Sequence, residues 1–113
     1  MKRWLALPLI TLVSGCLPPP PPPPPPYHAV GTEPFWNLLI DERNITFVQP
    51  DAAPITQPAV RPIIGFAGEI YQTPRINVNI VHAQCSDGMS DRTYPDNVQV
   101  TVDGRRLNGC GGL

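Results

Sequence analysis

Pro18 to Pro26 form an unbroken run of nine prolines, and no other feature restricts the possible folds so much. Proline has a fixed φ and no backbone N–H, so such a run enters neither a helix interior nor a central strand. It extends as polyproline II at ~3.1 Å per residue, a rod of roughly 28 Å. The chain therefore divides into a leader, residues 1–15, a short segment with the prolines, residues 16–26, and a remainder, residues 27–113. That remainder of 87 residues is one small domain with a thin core. Chains of this size often need a covalent staple.

The leader reads as a secretory signal. Met1-Lys2-Arg3 is basic, Trp4 to Val13 is apolar, and Ser14-Gly15 offers small residues for cleavage. The apolar run is too short for a bilayer, which needs about 20 such residues. Val13-Ser14-Gly15-Cys16 resembles the lipobox of bacterial lipoproteins, which implies cleavage before Cys16 and lipidation of its thiol. An ordinary secretory signal beside a free cysteine is the alternative. Leu17 stands where lipoproteins kept in the inner membrane often carry Asp, so the same resemblance favours the periplasmic face of the outer membrane over the inner membrane. One acyl chain binds a bilayer only marginally, whereas two or three hold a protein there. The proline rod is then a spacer lifting the domain off the head groups, with recognition by a proline-binding module as the competing reading.

Charge excludes several functions. Lys2 is the only lysine, and beyond the leader six arginines face nine acids. Nucleic acid needs a basic stripe that this chain lacks, and Schiff-base chemistry needs a lysine. With Cys16 set aside, Cys85 and Cys110 form an even pair in an oxidising compartment. Joining them closes a loop of about 26 residues, which stabilises a fold by roughly 3.5 kcal/mol in the chain-entropy picture. Two free buried thiols are the alternative.

Period-two alternation dominates the domain. Ile76, Val78 and Ile80 face one way while Arg75, Asn77 and Asn79 face the other, and Val98, Val100 and Val102 alternate with Asn97, Gln99 and Thr101. Asp103-Gly104 predicts a type I′ turn into a strand ending at Cys110. Trp36, Leu38 and Ile40 predict the inner face of a first strand, with a turn at Asp41 to Asn44 and a return strand from Ile45 to Val48. Residues 49–62 hold four prolines and predict a loop along a sheet edge. Ile63 to Tyr71 predicts one weak strand, interrupted by Gly65 and Gly68. The expected fold is all-β: about six short antiparallel strands in a meander closing into a barrel or sandwich, with one disulfide.

Two stretches are more than strand. In Gly31 to Trp36, Glu33 stands beside two aromatics, and a partly buried carboxylate must find a partner or lose its charge. It predicts either a binding carboxylate in a pocket with Trp36, or a turn cap paired with an arginine such as Arg92. Cys85 to Pro95 is longer and more polar than a hairpin needs. Its Ser86, Asp87, Ser90, Asp91, Arg92 and Tyr94 are candidate binding residues on a loop whose base the disulfide would hold. The alternative is that Ser and Asp there satisfy the loop's own backbone.

Both stretches resemble a family of small bacterial envelope proteins, mostly lipoproteins, with a G-T-E-P-F-W segment, a C-S-D-G-M-S-D-R-x-Y-P segment and a G-x-x-L-x-G-C ending. Here these are Gly31 to Trp36, Cys85 to Pro95 and Gly104 to Cys110. Related proteins carry the module beside META-type or lysozyme-inhibitor-type domains, which implies envelope duty without defining a reaction.

A binding or structural module is expected rather than an enzyme. Ser86 and Ser90 lie near His82, but no nucleophile elbow surrounds them, and His82 shares the face of Ile76, Val78 and Ile80 as a core-edge residue. Glu33 with Asp87 or Asp91 offers a glycosidase-like carboxylate pair, which makes a small hydrolase the second alternative. His82-x-x-Cys85 has metal-ligand spacing, yet the cysteine belongs to the disulfide, and the aspartates do not fit a calcium loop. No metal and no cofactor are expected. The bilayer, through acylated Cys16, is the first partner; an envelope protein, a glycan or a lysozyme is the second. Inhibition of a lysozyme-like muramidase is the sharper alternative, with Ser90, Arg92 and Tyr94 entering a cleft whose acids attract Arg92. This resembles the Ser- and Tyr-bearing loop of the membrane-bound lysozyme inhibitors.

Overall fold

The computed structural model describes Pro8, residues 15–88 and residues 91–113. The signal segment, apart from Pro8 and Gly15, lies outside the described residues, as does Ser90. Residues 16–26 are exposed and belong to no strand. Beyond them the described residues are all-β, in eleven strands: β1 (Tyr27–Thr32), β2 (Phe35–Ile40), β3 (Asn44–Val48), β4 (Ile55–Pro58), β5 (Ile63–Ile64), β6 (Gly68–Gln72), β7 (Ile76–Val81), β8 (Cys85–Ser86), β9 (Thr93–Tyr94), β10 (Asp96–Val102) and β11 (Arg105–Gly111).

Nine of them form one antiparallel sheet in the order β4-β3-β2-β1-β11-β10-β7-β6-β5, and β8-β9 is a separate ribbon. Two meanders meet where β1 pairs with β11, Ala29 opposite Gly111 and Val30 opposite Cys110. Consecutive strands β4 and β5 lie at the two opposite edges, yet only residues 59–62 join them. Five Cα steps reach at most about 19 Å. A flat sheet of this width would separate its edges by about 38 Å. The connection therefore requires the sheet to roll up, and it forms a strongly curled half-barrel.

The concave face is the core. Trp36, Leu38, Ile40, Ile45, Phe47, Ile76, Val78, Ile80, Val98, Val100, Val102 and Leu107 are buried there, which is the alternation expected of these strands. Trp36 packs on Phe47 with ring centroids 6.0 Å apart. Its ring also lies over two glycines: a Cβ on Gly109 would stand 2.6 Å from Trp36 Cζ2, and one on Gly31 would collide with the indole Nε1. The β10–β11 turn has positive φ at Asp103 (48°) and Gly104 (83°), as its Asp-Gly sequence predicts.

Three local expectations differ from the structure. Ile63 to Tyr71 is a hairpin rather than one strand: Gly65 N donates to Gly68 O at 2.8 Å, so the glycines make the turn instead of interrupting a strand. Residues 49–62 do lie at a sheet edge, but they contain β4, which pairs with β3 from Phe47 opposite Ile55 to Asn44 opposite Pro58. An edge strand tolerates proline because its outer side needs no donor. Finally β1, with only Ala29 and Gly31 buried on its inner side, lacks the bulky alternation that announces a strand. Short edge pieces and this small-residue strand raise the sheet from about six strands to nine.

Candidate functional site

The Cys85–Cys110 disulfide is present. Cys110 stands opposite Val30 and Asn97, in the register that alternates with the core, so the bond fastens the segment after β7 to the convex outside of the sheet. Asn97 Nδ2 donates to Ala83 O at 3.0 Å and Gln84 O at 3.3 Å, and Thr32 Oγ1 donates to Asp87 O at 3.4 Å. Within the segment, Cys85 pairs with Tyr94 and Ser86 with Thr93. Gly88 turns at φ 73° and donates its N–H to Ser86 Oγ at 3.4 Å. This ribbon is what the polar run from Cys85 to Pro95 builds, and Ser86 does serve the loop's own backbone.

The sequence candidates separate into groups. Arg92 and Tyr94 line one depression of about 280 Å³ with His28, Ala29, Val30 and Leu113. Ser86 and Asp87 line another of about 250 Å³ beside Val30, Thr32, Asn97 and Asn108. Asp91 is exposed. Glu33 is exposed in the β1–β2 turn and joined to Pro34 by a cis peptide, whereas Trp36 is 1% exposed in the core. Of the two readings of Glu33, the pocket joining it to Trp36 is therefore not built, because alternation sends Trp36 inward while the turn leaves Glu33 in solvent. Thr32 brings the Glu33 turn next to Asp87, so the first motif and the second do meet in space.

A polar network at the mouth of the half-barrel escaped the sequence reading. Asp96 is buried, 5% exposed. Its Oδ2 accepts from Tyr27 OH at 2.7 Å and its Oδ1 from His82 Nδ1 at 2.7 Å. His82 Nε2 stands 3.0 Å from Glu69 Oε1 and 2.9 Å from Oε2. The two carboxylates, Asp96 first and Glu69 second, raise the imidazole pKa to about 9, so His82 is cationic at neutral pH and both ring N–H groups donate. Burial, then the hydrogen bond to Asp96, push the Tyr27 phenol well above its usual range. Burial and then Glu69 raise Tyr71 in the same direction. Four elements are thereby tied together: β1, β6, β10 and the end of β7. The available signal was Asp96 itself, an acid in phase with Val98, Val100 and Val102. His82 is a satisfied core-edge residue, as its phase predicts, although half of its side chain is exposed.

Beside this network lies a cavity of about 450 Å³, bounded by Tyr27, Ile40, Val60, Pro62 and Tyr71 with Arg61 among its polar residues. Among the described residues, no cluster of three or more His, Cys, Asp or Glu side chains has a metal-holding arrangement. No helix of the described residues is long and apolar enough to cross a membrane. No protein-family profile, curated protein or solved structure matches the chain.

Proposed function

We propose that this protein is a lipid-anchored module of the bacterial cell envelope, held at the periplasmic face of the outer membrane through acylated Cys16. Its β domain acts by binding or by structural contact rather than by catalysis, and the 86–95 ribbon is its contact surface. The observation that carries this reading is the fastening of that ribbon to the sheet by Cys85–Cys110. A segment rich in polar side chains is fixed on a rigid scaffold at little entropic cost to a partner. The lipobox-like residues before Cys16 and the exposed proline segment after it support the anchored placement.

The partner class with a specific observation behind it is a lysozyme-like muramidase. Arg92 and Tyr94 border the same depression, and a guanidinium suits a cleft that carries catalytic carboxylates. Titrating the protein against a c-type lysozyme acting on purified cell wall tests this. Stoichiometric inhibition that Arg92→Ala and Tyr94→Ala abolish is the expected result. A folded, oxidised protein that leaves the lysozyme fully active removes that partner class from the reading.

A further inference from the structure

The convex face of the central strands carries an uncharged row of carboxamides, of which Asn97 alone also holds the disulfide segment. Asn79 on β7 stands opposite Gln99 on β10, and Gln99 stands opposite Asn108 on β11. Asn97 adds a fourth amide two residues before Gln99. Asn79, Asn97 and Asn108 are exposed, and Gln99 partly so. Asparagine is depleted in strands, and a surface that needed only solubility is better served by Thr or Tyr. Here asparagine takes four outward positions on β7, β10 and β11: Asn77, Asn79, Asn97 and Asn108.

These side chains also shape a groove. One depression of about 310 Å³ is lined by Asn79, Val81, Asn97, Gln99, Asn108 and Gly109. The depression of about 250 Å³ under the disulfide ribbon shares Asn97, Asn108 and Gly109 with it, so the two run together. The row is partly preorganised: Gln99 Nε2 donates to Asn108 Oδ1 at 3.1 Å, and Asn97 Nδ2 is held by Ala83 O and Gln84 O.

We infer that this groove binds a neutral glycan. A carboxamide presents donors and an acceptor side by side, which suits vicinal hydroxyls and N-acetyl groups. A row without net charge gives no preference to ions. The groove lies on a sheet face rather than at an edge, so it offers side chains and not a backbone ladder of the kind an extended peptide joins. Amides one strand apart repeat at about 4.8 Å, close to the length of one sugar residue in a β-linked chain. Val81 and Gly109 supply the apolar floor that C–H faces of a sugar ring need. The choice of glycan rests on the envelope reading above, whose natural polymer is the N-acetylated glycan of the cell wall; the groove itself does not depend on the anchor.

The test uses the purified full chain with two probes, chitotetraose and isolated peptidoglycan sacculi. Chitotetraose is expected to shift the side-chain NH₂ resonances of Asn79, Gln99 and Asn108, and sacculi to pull the protein down. The Asn79→Ala, Asn108→Ala double variant is expected to weaken both by about tenfold, since it removes two surface hydrogen-bonding groups. Both positions are exposed, and Asn79→Ser with Asn108→Ser serves as a milder pair should the alanines disturb the fold. Thr56→Ala, on the distant edge strand, is expected to bind as the parent does. Failure to bind either probe overturns the inference, as does binding that the amide variants leave unchanged. Self-association lost in the double variant, without glycan binding, would assign the face to a second copy and overturn it too. Acylation of Cys16, read separately by mass, decides the anchored placement whatever the glycan result.

Discussion

Asp96 shows how a single residue constrains one end of this molecule. Among the described residues it is the one buried polar or charged side chain, and a buried carboxylate is tolerated only with hydrogen-bonding partners. Tyr27 and His82 supply them. The His82 pKa is raised from 6.5 to about 9, so its contribution to stability is complete below pH 6.5 and is lost as pH rises through about 9. Tyr27 is held neutral in the fold, so its contribution fades only above pH 10.0, where the free phenol ionises. We expect chemical denaturation followed against pH to show stability falling between pH 6.5 and 9 in the parent and not in His82→Gln, with the fall above pH 10 kept in both. A variant that keeps the lower step would show that His82 is not its source. The same scale governs Trp36. Because its ring lies across Gly31 and Gly109, Trp36→Ala should cost about 3–5 kcal/mol. Gly109→Ala should cost about 1–3 kcal/mol through overpacking. Both are read as shifts in the denaturation midpoint at unchanged slope.

Individual elements were unequally legible in the sequence. β7 and β10 could be read directly from β-branched residues at every second position, and β11 from the Asp-Gly turn that leads into it. β2 and β3 were as clear, since Asp41 Oδ1 accepts from Arg43 N and Asn44 N at 2.8 and 2.7 Å and so closes the expected turn. β1 was hidden because Ala29 and Gly31 carry no bulk, and at Gly31 the Trp36 ring occupies the space a Cβ would take. The candidate site was legible in the same uneven way. Cys85 to Pro95 announced a special loop, but its position on the convex face follows from pairing between strands distant in sequence. At this scale the disulfide is the decisive element. Cys85→Ala with Cys110→Ala should lower stability by up to about 3.5 kcal/mol, the closure entropy of its loop. It should also free the 83–95 segment to exchange its amides faster than β10 and β11 do, as hydrogen exchange would reveal. Equal protection of that segment with and without the bond would show that Asn97 and Thr32 hold it unaided.

The whole molecule is a curled sheet whose two edges are brought near by residues 59–62, with its N-terminal segment entering at the mouth where Tyr27, His82 and Asp96 meet. Period-two patterning within a strand is local, so it revealed strands but not their order. The β1–β11 pairing that joins the chain's two halves depends on long-range register and left no mark in the sequence. This arrangement separates two outer surfaces from the mouth: the disulfide-held ribbon and the amide groove, both on the convex side. In the proposed setting, the proline segment connects the mouth to the membrane and leaves the convex side open to the periplasm. Removing the anchor should therefore change location without changing the fold: Cys16→Ser is expected in the soluble periplasmic fraction with its Cys85–Cys110 bond and its thermal midpoint intact. Mass analysis of the chain extracted from bacterial envelope membranes tests the central proposal most directly. The account predicts a chain beginning at Cys16 and bearing acyl groups on that residue, whereas a chain that begins elsewhere, or that carries Cys16 as an unmodified thiol, would contradict it.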